Sequence, residues 1–147
     1  MKPVSSRDFE EGLKELIVDF LAPHLSGLRD HQLCASRNLL EYYAQETEDR
    51  LTLAVLLRLQ ILPEARELQV PNLFLPRSLR NKGTGKKLLK AIHAYAAKSG
   101  YVLLVTNLTS GFYQQLVRRG ARVITEEDVV EITAKTDLTS ASRAGAG

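Results

Sequence analysis

The apolar positions of this chain recur with a period that changes along its length. Phe9, Leu13, Leu16, Ile17, Phe20 and Leu21 fall three or four apart. That is the spacing of one face of an α-helix, with Ser5 or Ser6 to cap it and Ala22-Pro23 to stop it. Leu33, Leu40, Tyr43 and Ala44 predict a second helix over residues 28–45, with a narrower and less regular apolar face. At Arg50 the period switches to two. Leu51, Leu53, Val55, Leu57, Leu59 and Ile61 alternate with Thr52, Ala54, Leu56, Arg58 and Gln60, a strand pattern that Pro63 ends. Residues 67–75 predict another strand. The Val70-Pro71 pair inside it removes a ladder donor, so a bulge or an edge, and hence a kinked strand, is expected there.

Past a basic stretch the helical period returns. Leu88, Ala91, Ile92, Tyr95 and Ala96 should face inward and Lys86, Lys87, Lys90 and Lys98 outward, with Gly100 as the stop. Residues 101–105 are an unbroken apolar run of strand length, predicting a strand buried on both faces of a sheet. Ser110 is expected to cap a short helix that runs to Arg119 and ends at Gly120. Residues 122–125 and 129–133 are expected to form two closing strands around the turn Glu126-Glu127-Asp128. Residues 139–147 contain nothing to bury and predict a flexible tail on one domain spanning 1–138. There is no internal repeat.

Composition narrows the class. At 147 residues, with 44% hydrophobic and 25% charged residues, the chain can bury a core without a disulfide or a metal. One cysteine, Cys34, read as a small apolar filler on a helix, cannot form an internal bridge, so a reducing, cytoplasmic setting is expected. The first residues lack the apolar segment of a signal peptide. The most apolar run, 51–62, is about half a membrane span and carries Arg58, so no membrane partner is expected. The net charge of +3 is concentrated between Arg77 and Lys90, which points to a local anion site rather than to a nucleic-acid stripe. His24, His31 and His93 show no metal-ligand spacing.

The segment Leu73-Phe74-Leu75-Pro76-Arg77-Ser78-Leu79-Arg80-Asn81-Lys82-Gly83-Thr84-Gly85-Lys86-Lys87-Leu88-Leu89 joins a strand to a helix through two glycines. The first amides of a helix have no partner within it and carry the positive end of its dipole, so this junction favours an anion, and the cations around it strengthen that preference. Two common phosphate loops do not fit. A nucleoside-triphosphate loop needs glycine where Arg80 stands relative to Gly85-Lys86, and a dinucleotide fingerprint needs glycine at Leu88. The run Arg80-x-x-Gly83-x-Gly85, after an apolar strand and opening an amphipathic helix, resembles the R/Q-x-x-G-x-G/A signature of the GNAT superfamily of N-acetyltransferases. The order of elements from 67 to 133 fits that superfamily as well.

The resemblance implies an α/β fold with a central mixed, mostly antiparallel sheet flanked by helices, here with a reduced helical N-terminal half. It implies acetyl-CoA as co-substrate and a primary amine as acceptor, the acceptor's identity left open. It assigns the cofactor contacts to Phe74, Leu75, Arg80, Asn81, Lys82, Gly83, Thr84, Gly85 and Lys86, with Asn107 at the end of the following strand as a further candidate. Acyl transfer to an amine needs a base, an oxyanion donor and an acid for the departing thiolate. Glu67 is the candidate base, a backbone amide near Phe74 or Leu75 the oxyanion donor, and Tyr113 the candidate acid. Counting back from Gly120 places Leu116, one turn later, in the superfamily's tyrosine slot. Two other functions stay open: a catalytically inactive GNAT-like subunit of a homo-oligomer or a larger, phage-type assembly, and an acetyltransferase acting on aminoacylated transfer RNA.

Overall fold

The computed structural model of the chain describes residues 6–25, 31–36, 38–45, 53–73 and 84–138. Its elements run α1 (Ser6–Leu21), a 3-10 turn (Ala22–Leu25), β1 (His31–Ser36), β2 (Leu39–Gln45), β3 (Leu53–Leu62), β4 (Glu67–Leu73), α2 (Thr84–Lys98), β5 (Val102–Val105), α3 (Ser110–Arg118), β6 (Arg122–Thr125) and β7 (Val129–Ile132). The described strands form one seven-stranded sheet in the order β1-β2-β3-β4-β5-β7-β6. Its neighbours pair antiparallel except β4 and β5, the parallel pair that α2 connects. This is the mixed, mostly antiparallel α/β architecture expected of a GNAT-like chain.

The N-terminal half departs from the expected pair of helices. Within 28–45 the described residues form a β-hairpin, β1 and β2, in which Ser36 pairs with Leu39 and His31 with Ala44. Leu40 and Tyr42 are buried while Glu41 between them is not, which is a period of two. The helix-favouring Leu, Glu, Ala and Gln of this stretch are overridden by pairing with the ten-residue β3, a partner that local sequence does not reveal. At the turn Asn38 takes φ 66, a left-handed conformation that asparagine tolerates better than most residues. Its amide donates to Glu10 Oε1 of α1 at 3.2 Å and its carbonyl accepts from Ile61 at 2.7 Å. Cys34, expected as a helix filler, is exposed on β1.

Burial falls on one face of the sheet. Leu40, Tyr42, Leu57, Leu59, Ile61, Leu68, Val70, Leu103, Val105, Val130 and Ile132 are buried, whereas their strand neighbours Glu41, Arg58, Gln60, Gln69 and Glu131 are polar and half-buried or exposed. β5 is therefore buried on one face rather than two: Val102 is 40% exposed and Leu104 half-buried. α1 contributes Phe9, Leu13, Ile17 and Leu21, each four residues after the last, to the core. Phe9 stacks on Tyr101 at 4.1 Å between ring centroids and also meets Tyr95 of α2 at 5.1 Å. Leu88, Leu89, Ile92 and Ala96 of α2 and Leu116 of α3 join the same core.

Candidate functional site

β4 and β5 run side by side from Glu67 opposite Val102 to Val70 opposite Val105, and the Thr106 amide closes the ladder on Val70 O at 3.0 Å. Beyond that rung they part. β4 continues to Leu73 against β3 alone, while β5 leads into Asn107 at φ 54 and the Leu108 amide bonds Asp128 O at 3.3 Å. The parting coincides with the bulge expected at Val70-Pro71. Arg58 pairs with Asn72 and Gln60 with Gln69, so β4 carries one residue more than β3 across this interval. Proline, which has no N–H to give the ladder, is accommodated at such an irregularity, and the extra residue turns the strand.

A crossover connection brings the first turn of the following helix to the carboxyl end of the strand before it. The N-termini of α2, after β4, and α3, after β5, therefore lie at the end where the two strands part. Neither helix has an acidic residue in its first turn to offset the positive end of its dipole. α3 is capped by Thr109, whose Oγ1 accepts the Phe112 amide at 3.3 Å, one position before the Ser110 expected for that role. The carboxyl ends of neighbouring strands in a parallel pair, beside helix N-termini, are where α/β sheets hold anionic ligands.

The site residues read from sequence divide by position. Phe74, Leu75, Arg80, Asn81, Lys82 and Gly83 lie outside the described residues. Thr84, Gly85 and Lys86 form the first turn of α2, with Thr84 and Lys86 buried. Lys86, expected to face water, is only 8% exposed, and burial first, then the Arg119 guanidinium, holds its ammonium below the ordinary lysine value. Arg119 follows the last residue of α3, and its Nη1 donates to Asp137 O at 3.1 Å. Its place near Lys86 had no sequence signal, because the two are far apart in the chain and only the packing of α3 and the segment after β7 brings them together.

Asn107 is exposed in the turn at the end of β5. Tyr113 is half-buried and packs with Phe112 against the core, while Leu116, one turn on, is fully buried. Tyr113 and Asn107 belong to the carboxyl end of the β4–β5 pair. Glu67 opens β4 at the amino end, paired with Val102, and its Oε1 accepts from Gln69 Nε2 at 2.7 Å. Three residue steps along the strand, about 10 Å, separate it from Val70. Among the described residues no group of His, Cys, Asp and Glu is arranged to hold a metal, and no helix is long and apolar enough to cross a membrane.

No protein-family model and no curated protein matches the chain. Among solved structures it is similar to a CoA-dependent acyl-homoserine lactone synthase, BjaI, with MTA, at 13% identity over 84% of this chain and 74% of that one, TM-score 0.44. The same synthase with SAM and isopentyl-CoA gives 14% identity over 89% and 79%, TM-score 0.43. A protein from Agrobacterium tumefaciens assigned as an acetyltransferase gives 16% identity over 89% and 93%, TM-score 0.35.

Proposed function

We propose that the chain is an acyl-CoA-dependent N-acyltransferase that moves an acetyl group from acetyl-CoA to a primary amine. The observation that carries this reading is a coincidence of place: the β4 bulge, the parting of the one parallel strand pair among the described residues, and the acid-free start of α2 all meet at one end of the sheet. A thioester arm would enter the parting between β4 and β5. Its pyrophosphate would rest on the first turn of α2 and the basic, glycine-bearing stretch Arg80 to Gly85 before it.

In this mechanism the neutral amine attacks the thioester carbonyl. Backbone N–H groups of β4 beyond the bulge, toward Phe74 and Leu75, donate to the oxyanion that forms. The C–S bond then breaks, the thiolate takes the phenolic proton of Tyr113, and the amine's surplus proton leaves through water toward Glu67. The products are the amide and free CoA thiol. Tyr113→Phe keeps the ring and removes only the acid, so acetyl-CoA affinity should persist while turnover falls about 10²- to 10⁴-fold. Calorimetric titration with acetyl-CoA and thiol release against a panel of amines, wild type beside variant, make the test. Absence of acetyl-CoA binding by the wild type rules the reading out.

The packing of Tyr113 against the core, with Leu116 fully buried in the position where the GNAT resemblance would put a tyrosine, favours a second reading. On that reading the chain keeps the fold as a non-catalytic subunit, and acetyl-CoA binds without turnover or not at all.

A further inference from the structure

The two edges of the sheet are built differently. β6, at one edge, has four residues, is bulged at Ile124 between the pairs Val123–Val130 and Thr125–Val129, begins with Arg122 and runs into Glu126-Glu127-Asp128. Shortness, a bulge and flanking charge are the devices that keep an edge strand from pairing with another chain. β1, at the other edge, is longer and unbulged, and the charges beside it, Arg29-Asp30 and Arg37, stand outside the strand. Its six residues, His31-Gln32-Leu33-Cys34-Ala35-Ser36, include no Lys, Arg, Asp, Glu or Pro, and all six pair with β2 in unbroken register.

The hairpin fixes which groups of β1 face outward. Ser36 and Leu39 pair with only two residues between them in the chain, the spacing of a hydrogen-bonded closing pair, and bonding to β2 alternates from there. Ser36 and Cys34 spend their N–H and C=O on β2, while Leu33 and Ala35 direct theirs to the open edge. Cys34, Ala35 and Ser36 are exposed and Leu33 is half-buried.

We propose that β1 pairs antiparallel with β1 of a second copy of this chain, around a two-fold axis at Cys34, so that the sheet runs on through the dimer. A two-fold contact needs a self-complementary surface, and an uncharged, unbulged strand provides one because no like charges meet across the axis. With the axis at Cys34, Leu33 of each copy exchanges two backbone hydrogen bonds with Ala35 of the other. The two Cys34 residues then form the non-hydrogen-bonded pair, with Cα atoms about 4.5 Å apart, close enough for a disulfide. This inference is independent of the acyltransferase reading.

Sedimentation of the full chain under reducing conditions, across a concentration series, should show a reversible dimer. Ala35→Pro deletes an outward N–H and Ala35→Lys sets two ammonium groups near the axis, so each should weaken the dimer about tenfold or more. Far-UV circular dichroism should stay like that of the wild type, since the replaced side chain is exposed. Mild diamide oxidation should cross-link the wild type through Cys34, and neither Cys34→Ser nor Ala35→Pro should cross-link. A chain that stays monomeric throughout, or a dimer indifferent to both folded Ala35 variants, overturns the proposal. A β1-dependent dimer whose Cys34 thiols fail to cross-link overturns the placement of the axis.

Discussion

Lys86 sits in the first turn of α2, where the helix dipole opposes a cation, and it is buried there beside Arg119. Its ammonium is disfavoured in the folded chain, so its folded pKa lies below the ordinary 10.5. Between that folded value and 10.5 the unfolded chain binds more protons, and stability rises with pH across the window. Below the window Lys86 is charged in both states and the full cost is present. Wild type should therefore gain melting temperature relative to Lys86→Met as the pH is raised through that window toward 10.5. A phosphate placed on this turn would reverse the shift by stabilising the ammonium. On the proposed function, acetyl-CoA binding at a pH inside that window should then take up protons, seen as a dependence of the calorimetric enthalpy on the buffer's ionisation enthalpy. A Lys86 that titrates at or above 10.5 in the free protein would contradict the burial argument.

At the scale of elements, the contact between α1 and α2 is set by a glycine. A Cβ at Gly12 would come 2.1 Å from Tyr95 Oη and 2.9 Å from Cζ, and that hydroxyl donates to Phe9 O at 2.9 Å. The ring is also held against Phe9 and cannot swing aside freely. Alanine would improve helix propensity by about 1 kcal/mol, but overpacking of this kind costs roughly 1–3 kcal/mol and the hydrogen bond is lost as well. Gly12→Ala should thus destabilise by about 1–2 kcal/mol in urea unfolding. Adding Tyr95→Phe, which removes the closest atom, should recover part of the loss. If Gly12→Ala is neutral or stabilising, the two helices are not packed this closely.

For the whole molecule, the last described residue is tied into the core. Leu138 is 4% exposed and belongs to the core, and the segment before it is tied down where the Asp137 amide donates to Arg119 O at 2.7 Å. Leu138→Ala should cost about 2–4 kcal/mol. Deleting 139–147, which has no large apolar side chain, should leave the melting temperature nearly unchanged, and a large drop would assign that tail a packing role. The sequence by itself determined the elements whose periodicity is strong: the 9-13-17-21 stripe of α1, the alternation of β3, the kink at Val70-Pro71, and the order α2, β5, α3, β6, β7 with its glycine stops. Each is a local consequence of side-chain spacing or of a missing N–H. It also marked the anion-favouring junction before α2, because glycines and cations there are adjacent in the chain. Tertiary structure alone decided that residues 31–45 are a hairpin, because their helical propensity loses to hydrogen bonds with β3. It alone buried Lys86 beside Arg119 and left Glu67 at the far end of β4 from Tyr113. It also left β1 at an edge of the sheet formed by the described strands, since pairing, burial and proximity depend on residues distant in sequence, about which spacing carries no information.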